Sequence, residues 1–248
     1  MIFIKTDEQI NIMREGGKLL ANLLLEIEKL LKPGVCAKDI DMYAYNYIQK
    51  VGGKPSFLNY NGFPASICFS INEVLIHGIP TYDMIVKDGD IVSIDAGIIY
   101  RGFHTDAART FIIGDVPDEI KQLVKVTEDS FFEGIKYAKA GNRLSDISSA
   151  IEKVIVKNGF FVVREYVGHG VGRSLHEEPS IPNYGKPGNG PILQKGMTLA
   201  IEPMVLMKSP RVATKIDGWT VSSTNGLPTA HYENTIVVTN NGAEILTI

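Results

Sequence analysis

Residues 32–52 read KPGVCAKDIDMYAYNYIQKVG, and residues 139–159 read KAGNRLSDISSAIEKVIVKNG. The two align without a gap at an offset of 107 (139 − 32), with Lys, Gly, Asp, Ile, Ile, Lys and Gly recurring at matching places. The same offset carries Gly89 onto Gly196, Ile94 onto Ile201 and Asp95 onto Glu202, and a looser match of DAARTFII with ENTIVV, with about twenty residues inserted ahead of the latter, pairs Asp106 with Glu233. One offset persisting across separate segments points to an internal duplication. Each half then reads as two helices followed by an antiparallel sheet. That is an α+β layout in one integrated domain, with pseudo-repeat halves of approximately 1–115 and 116–248.

Local patterns agree with that layout. Thr6-Asp7-Glu8-Gln9 has the form of a capping box ahead of a helical period at Ile10, Met13, Leu20, Leu24, Ile27 and Leu31, and Pro33-Gly34 stops the helix. Residues 38–51, 118–138 and 145–158 predict three further helices. From 57 to 113 the text is β-like, with DIVSIDAGII and HTDAARTFII joined around Tyr100-Arg101-Gly102-Phe103. Strands resume at 160 and are interrupted by a Pro/Gly-rich loop at 182–191.

Composition narrows the class. Of 248 residues, 44% are hydrophobic and 21% charged, the balance of an ordinary globular protein. A formal net charge of −3 without a basic run gives no nucleic-acid footprint. Cys36 and Cys68 form neither a disulfide framework nor a zinc motif, which suits a reducing compartment. MIFIKTDEQI lacks a signal-like apolar stretch, and no apolar run approaches the roughly 20 residues that span a bilayer. The expectation is a cytoplasmic protein with no membrane segment.

Five residues stand out chemically. Asp95 ends IVSID, Glu202 ends TLAIE, Glu233 opens ENTIVVT, Asp106 lies in HTDAARTFII, and His169 is flanked by glycine in GHGVGR. A carboxylate in a β-rich apolar run is costly to bury unless something pairs with it. If Arg101-Gly102 form a tight turn, Gly97 opposes Asp106. Asp95 and Asp106 then share a face as diagonal neighbours, roughly 7–8 Å apart at the backbone. The competing readings are turn or cap residues for the aspartates and a solvated strand face for Glu202 and Glu233. Glycines around His169 permit the close approach that a ligand loop needs. Four carboxylates with one imidazole suit Mn, Fe, Co or Zn in a catalytic site, and a pair of such ions can hold a bridging hydroxide for hydrolysis. His77 and His176, in turn-rich NEVLIHGIP and SLHEEP, are either substrate-contacting imidazoles or satisfied surface residues. His104 and His231 each precede a candidate ligand by two residues, a placement that fits either support of that ligand or an ordinary strand position.

NEVLIHGIP, IDAG with GFHTDAART, GHGVGRSLHEEP, TLAIEP and HYENTIVVT, in this order along essentially the whole chain, resemble type I methionine aminopeptidases, in their minimal bacterial form. The resemblance implies the pseudo-twofold "pita-bread" fold and two divalent metal ions (Co, Mn, Fe or Zn) held by Asp95, Asp106, His169, Glu202 and Glu233. It implies removal of initiator methionine from nascent polypeptides with a small second residue, through attack by a metal-bound hydroxide. Glu202 would shuttle the proton, and His77 and His176 would contact the substrate amide. The methionine pocket would involve Tyr60, Phe63, Cys68, Leu175 and Trp219. Leu175 departs from the Phe found in many members, and His231 stands where Gln is frequent. The implied partners are nascent N-termini and, transiently, the ribosome; the expected state is a monomer. Two rivals stay open here: a proline-directed aminopeptidase P or prolidase, and a non-catalytic binding protein of the same fold.

Overall fold

In this computed structural model, which describes residues 1–248, Thr6 starts the first helix as its spacing predicts. The Gln9 amide donates to the Thr6 hydroxyl (3.3 Å) and the Thr6 amide donates to the Gln9 side chain (3.0 Å), closing the capping box of α1 (Asp7–Leu30). Its buried face comprises Ile10, Met13, Leu20, Leu23, Leu24 and Ile27, each fully buried aliphatic side chain contributing about 1.5–3 kcal/mol. α2 (Ala37–Lys50) follows, then β1 (Lys54–Pro55), β2 (Ile67–Ile71), β3 (Val74–Ile76), β4 (Ile91–Tyr100) and β5 (Phe103–Ile112). The second half contains α3 (Asp118–Ile135), α4 (Leu144–Lys157), β6 (Phe161–Val162), β7 (Gly168–Gly170), β8 (Glu177–Ile181), β9 (Thr198–Ile201) and β10 (Met204–Leu206). It ends with β11 (Val212–Thr214), β12 (Val221–Ser223), β13 (Thr229–His231), β14 (Glu233–Val238) and β15 (Ala243–Ile245). Helices 2 and 4 differ in position by the same 107 residues (144 − 37) as the sequence repeat.

One antiparallel sheet joins the halves in the order β1-β4-β5-β14-β9-β7-β8, with β2 on β4 and β15 on β14. Helices α1 and α2 bury their apolar faces against β2 and β4, while α3 and α4 pack with β9 and β14. The start of α1 also reaches the second half: Ile10 and Met13 meet Ala200, Val237 and Leu246. Gly17 makes that approach possible, because a Cβ there would collide with the Leu246 carbonyl.

The β4–β5 hairpin has the expected register. Tyr100 faces Phe103, Gly97 faces Asp106 and Asp95 faces Ala108. Arg101 (φ 48°) and Gly102 (φ 83°) both take positive φ, which gives the turn a twist matching the strands.

The second hairpin repeats this ladder with two changes. Shifting β4 by 107 covers β9, Glu202-Pro203 and β10, so the ten-residue strand is broken where proline removes an amide donor. Pairing nevertheless continues, since Ile201 faces Asn234, the Pro203 carbonyl accepts from the Tyr232 amide (3.2 Å), and Met204 faces His231. Because Ile94 faces Arg109 and its counterpart Ile201 faces Asn234, the offset on the returning strand is 125 (234 − 109). The extra 18 residues (125 − 107) belong to the excursion that forms β11 and β12, which adds β12 to β3 of the first half.

Candidate metal centre

The two hairpins bring the candidate ligands together where the halves meet. Asp95 and Asp106 project from one face of β4–β5, as the register requires. Glu233 opens β14 directly opposite Ala108, and Glu202 sits just beyond the last residue of β9. His169 reaches the same space from β7, paired with Ala200. Its Nε2 lies 3.9 Å from Asp106 Oδ2 and 3.6 Å from Glu202 Oε1, while its Nδ1 bonds the Gly170 carbonyl at 2.8 Å. Gly168 and Gly170 let β7 lie against its neighbours; a Cβ on Gly170 would collide with the Glu178 backbone.

The electrostatics are those of a carboxyl cluster with no basic side chain to balance it. Asp106 and Glu233 are buried and Asp95 and Glu202 half-buried, yet no Lys or Arg pairs with any of the four. Arg109 comes nearest but donates to the Glu233 backbone carbonyl (2.6 Å) and to Asn234 Oδ1 (2.7 Å). Asp95 Oδ1, Asp106 Oδ1 and Glu233 Oε1 are buried without hydrogen-bond partners. Desolvation pushes the Asp95 carboxyl up to about 7 and Glu202 to about 8. Asp106 and Glu233 are raised well above the usual range by the same burial and by the neighbouring carboxylates. Burial takes the His169 imidazole down to about 3, so it is neutral at neutral pH with Nε2 free as a ligand atom. A divalent cation would relieve each of these costs, and oxygen donors with one imidazole suit it chemically. Asp106, His169 and Glu233 place ligand atoms within 4.8 Å of one another, as do Glu202, His231 and Glu233.

The five candidate ligands, His77, His176 and the five residues expected around the methionine side chain all line one cavity of about 250 Å³. Phe57, Phe63, Cys68 and Leu175 form its apolar wall with Tyr60 and Trp219 against them, and Ala65 and Ile79 pack with the same cluster. Cys68 faces Asp95 across β2–β4, and burial pushes its thiol well up, leaving a neutral sulfur in the wall. Trp219, carried by the β11–β12 excursion, meets Phe63 edge-on at 5.2 Å. His77 (φ 57°) follows β3 and lies between Tyr166 and Trp219 at 5.9 and 6.5 Å. Burial takes its imidazole down to about 4. His176 Nδ1 is 2.7 Å from the Tyr60 hydroxyl, and its ring stands 4.2 Å from that of His169.

The two histidines that precede ligands differ. His104 bonds Ser56 (3.0 Å), away from the carboxylates, whereas His231 Nε2 approaches Glu202 (3.5 Å) and Glu233 (3.8 Å). A match of DAARTFII with ENTIVV that equates Asp106 with Glu233 is two residues out of register. The ladder makes Ala108 the counterpart of Glu233, and His231 (106 + 125) the counterpart of Asp106. Thr110 and Thr235 show the same relation. The Thr235 hydroxyl accepts from the Asp106 amide and donates to its carbonyl, both at 2.9 Å. Thr110 does the same for His231, at 3.0 and 2.8 Å. Sequence reading missed these threonines, although both stand at the new offset (235 − 110 = 125). It also missed Phe57, Asn61, Ile76, Tyr166 and Val167 of the cavity wall, which no local pattern marks.

This sheet, duplicated about an acidic cluster with one glycine-flanked histidine, defines a metal-dependent peptidase. The chain belongs to metallopeptidase family M24, whose model matches residues 11–240. Within that family it stands among the methionine aminopeptidases. It is 50% identical to the methionine aminopeptidase of Clostridium perfringens, covering 100% of this chain and 99% of that one. It is 44% identical to that of Escherichia coli K12, covering 100% and 94%. The crystal structure of methionine aminopeptidase from Thermotoga maritima superposes with a TM-score of 0.98 at 47% identity, covering 100% and 99%. The prolidase from Pyrococcus furiosus shares the fold alone: TM-score 0.82, 23% identity, 99% of this chain and 65% of that one. The sheet and flanking helices are thus the pita-bread fold that the resemblance implies, on the duplicated α+β plan expected from the repeat. No helix is long and apolar enough to cross a membrane.

Proposed function

We propose that this chain removes the initiator methionine from nascent polypeptides whose second residue is small. The observation that carries the reading is the cluster of unpaired buried carboxylates opening onto an apolar, sulfur-lined cavity. Asp95, Asp106, His169, Glu202 and Glu233 would hold two divalent ions from among Co, Mn, Fe and Zn. Such ions polarise the scissile carbonyl and lower the pKa of a water, making hydroxide available near neutral pH.

The chain's own groups do the rest. Glu202, half-buried at the cavity and ionised once a cation stands beside it, takes a proton from the attacking water and passes it to the departing amine. His77 and His176 hydrogen-bond the substrate amide and the developing oxyanion. His176 Nδ1 is paired with the Tyr60 hydroxyl, and in the tautomer that accepts from Tyr60 its Nε2–H is a donor towards the substrate. Tyr60, Phe63, Cys68, Leu175 and Trp219 surround the thioether, for which an apolar wall with a sulfur is well suited. The whole chain acts as a single catalytic domain, a cytoplasmic monomer that meets nascent N-termini in transient association with the ribosome.

The test is release of Met from Met-Ala-Ser, abolished by a chelator and restored by added metal. Cleavage of an X-Pro peptide in its place would overturn the methionine reading. Absence of transition-metal binding, with Asp106→Ala leaving every activity unchanged, would overturn the enzyme reading.

A further inference from the structure

His231 occupies in the second half the place that Asp106 occupies in the first. Gly97 and Met204, related by the 107 offset, are their respective partners, and equivalent threonines bracket their peptide groups. Asp106 is a candidate ligand; the duplication therefore aims the His231 side chain at the same centre from the opposite half. The residue is 1% exposed, and its Nε2 is buried without a hydrogen-bond partner. That nitrogen lies 3.5 Å from Glu202 Oε2 and 3.8 Å from Glu233 Oε2.

These separations suit coordination better than hydrogen bonding. Both exceed the usual 2.7–3.2 Å range for N–H···O bonds. Two donor atoms each about 2.1 Å from one tetrahedral cation stand about 3.4 Å apart. His169 has the same relation to Asp106 and Glu202, at 3.9 and 3.6 Å. The cluster thus contains two imidazole nitrogens, each facing two carboxylates, with Glu233 common to both ligand groups.

We propose that His231 is a sixth protein ligand, donating Nε2 to a cation shared with Glu202 and Glu233, so that each ion of the pair is bound by one imidazole. The proposal rests on the two-ion reading given above. A second imidazole also shifts the centre towards Fe, Co and Zn and away from Mn, relative to a set with one nitrogen.

Paramagnetic proton NMR of the full chain titrated with Co(II) tests this directly. Each cobalt-bound imidazole contributes one strongly shifted, exchangeable ring N–H resonance. Two are expected at two equivalents of cobalt, and one in His231→Gln. Calorimetry should show one of two cobalt sites weakened at least tenfold in that variant. A single imidazole resonance in the unsubstituted protein at two bound equivalents overturns the proposal while leaving the metal centre intact. So does His231→Gln with unchanged spectrum and affinities; the ring would then only brace Glu202. Absence of any cobalt binding overturns the two-ion reading and this inference together. The unsubstituted spectrum decides the matter even if the variant fails to fold.

Discussion

Thr235→Val removes one oxygen atom and keeps the shape of a side chain that is 0% exposed. That hydroxyl accepts from the Asp106 amide and donates to its carbonyl, each at 2.9 Å, between strands 129 residues apart in sequence. Two net hydrogen bonds contribute about 0.5–1.5 kcal/mol each, and leaving a buried donor unsatisfied costs about 1–3 kcal/mol. The expected loss is about 3 kcal/mol. For a chain of this size each kcal/mol lowers Tm by about 2–4 °C, so calorimetric melting of the metal-free protein should fall by about 6–12 °C. Thr235→Ser keeps the hydroxyl and should recover most of the loss. The functional consequence is specific, because the released peptide group carries a candidate ligand. Metal affinity measured by calorimetry should fall in Thr235→Val and return in Thr235→Ser. A Thr235→Val protein melting within about 2 °C of the unsubstituted chain, or a Ser variant as damaged as the Val variant, would refute the reasoning.

Three further outcomes follow from the same geometry. Asp95 at about 7 and Glu202 at about 8 hold protons in the folded, metal-free protein that the unfolded chain releases above about pH 4. Their contribution to stability is therefore full below pH 4 and lost as pH rises through 7–8. Metal-free Tm should decline over that window, Asp95→Asn should flatten the decline, and metal affinity should rise with pH as the protons are displaced. A metal-free Tm that climbs from pH 5 to 8 in both proteins would count against a desolvated acidic cluster. Gly170→Ala should displace β7 from the Glu178 backbone and carry His169 with it, lowering metal affinity at least tenfold by calorimetry; unchanged affinity would mean that this close packing does not position the imidazole. Leu175→Phe adds volume to a wall that already packs Phe57, Phe63 and Cys68, so KM for Met-Ala-Ser should rise more than kcat falls. An unchanged KM would place the methionine side chain elsewhere.

The parts that were legible in the chain are those governed by short-range spacing. Thr6 and Gln9 announce a helix start because the capping box closes over three residues. Arg101-Gly102 set the register of β4–β5, because a two-residue turn leaves only one pairing, and that pairing puts Asp95 and Asp106 on one face. The five candidate ligands were visible because carboxylates in apolar strands are costly without a counter-charge.

His231 illustrates what was not legible. Two residues before a carboxylate it looks just like His104, yet one faces the cluster and the other bonds Ser56. The difference depends on which residues oppose each strand, and on the second half that pairing spans a β11–β12 excursion between β10 and β13. The chain by itself determined the duplicated α+β plan and the ligand chemistry, since periodicity and the cost of buried charge act locally. Tertiary structure decided the change of offset from 107 to 125, the strand break at Pro203, the arrival of Trp219 beside Phe63 and the equivalence of Asp106 with His231. Each of these rests on contacts between residues far apart in the chain, which ladder pairing and core packing select together.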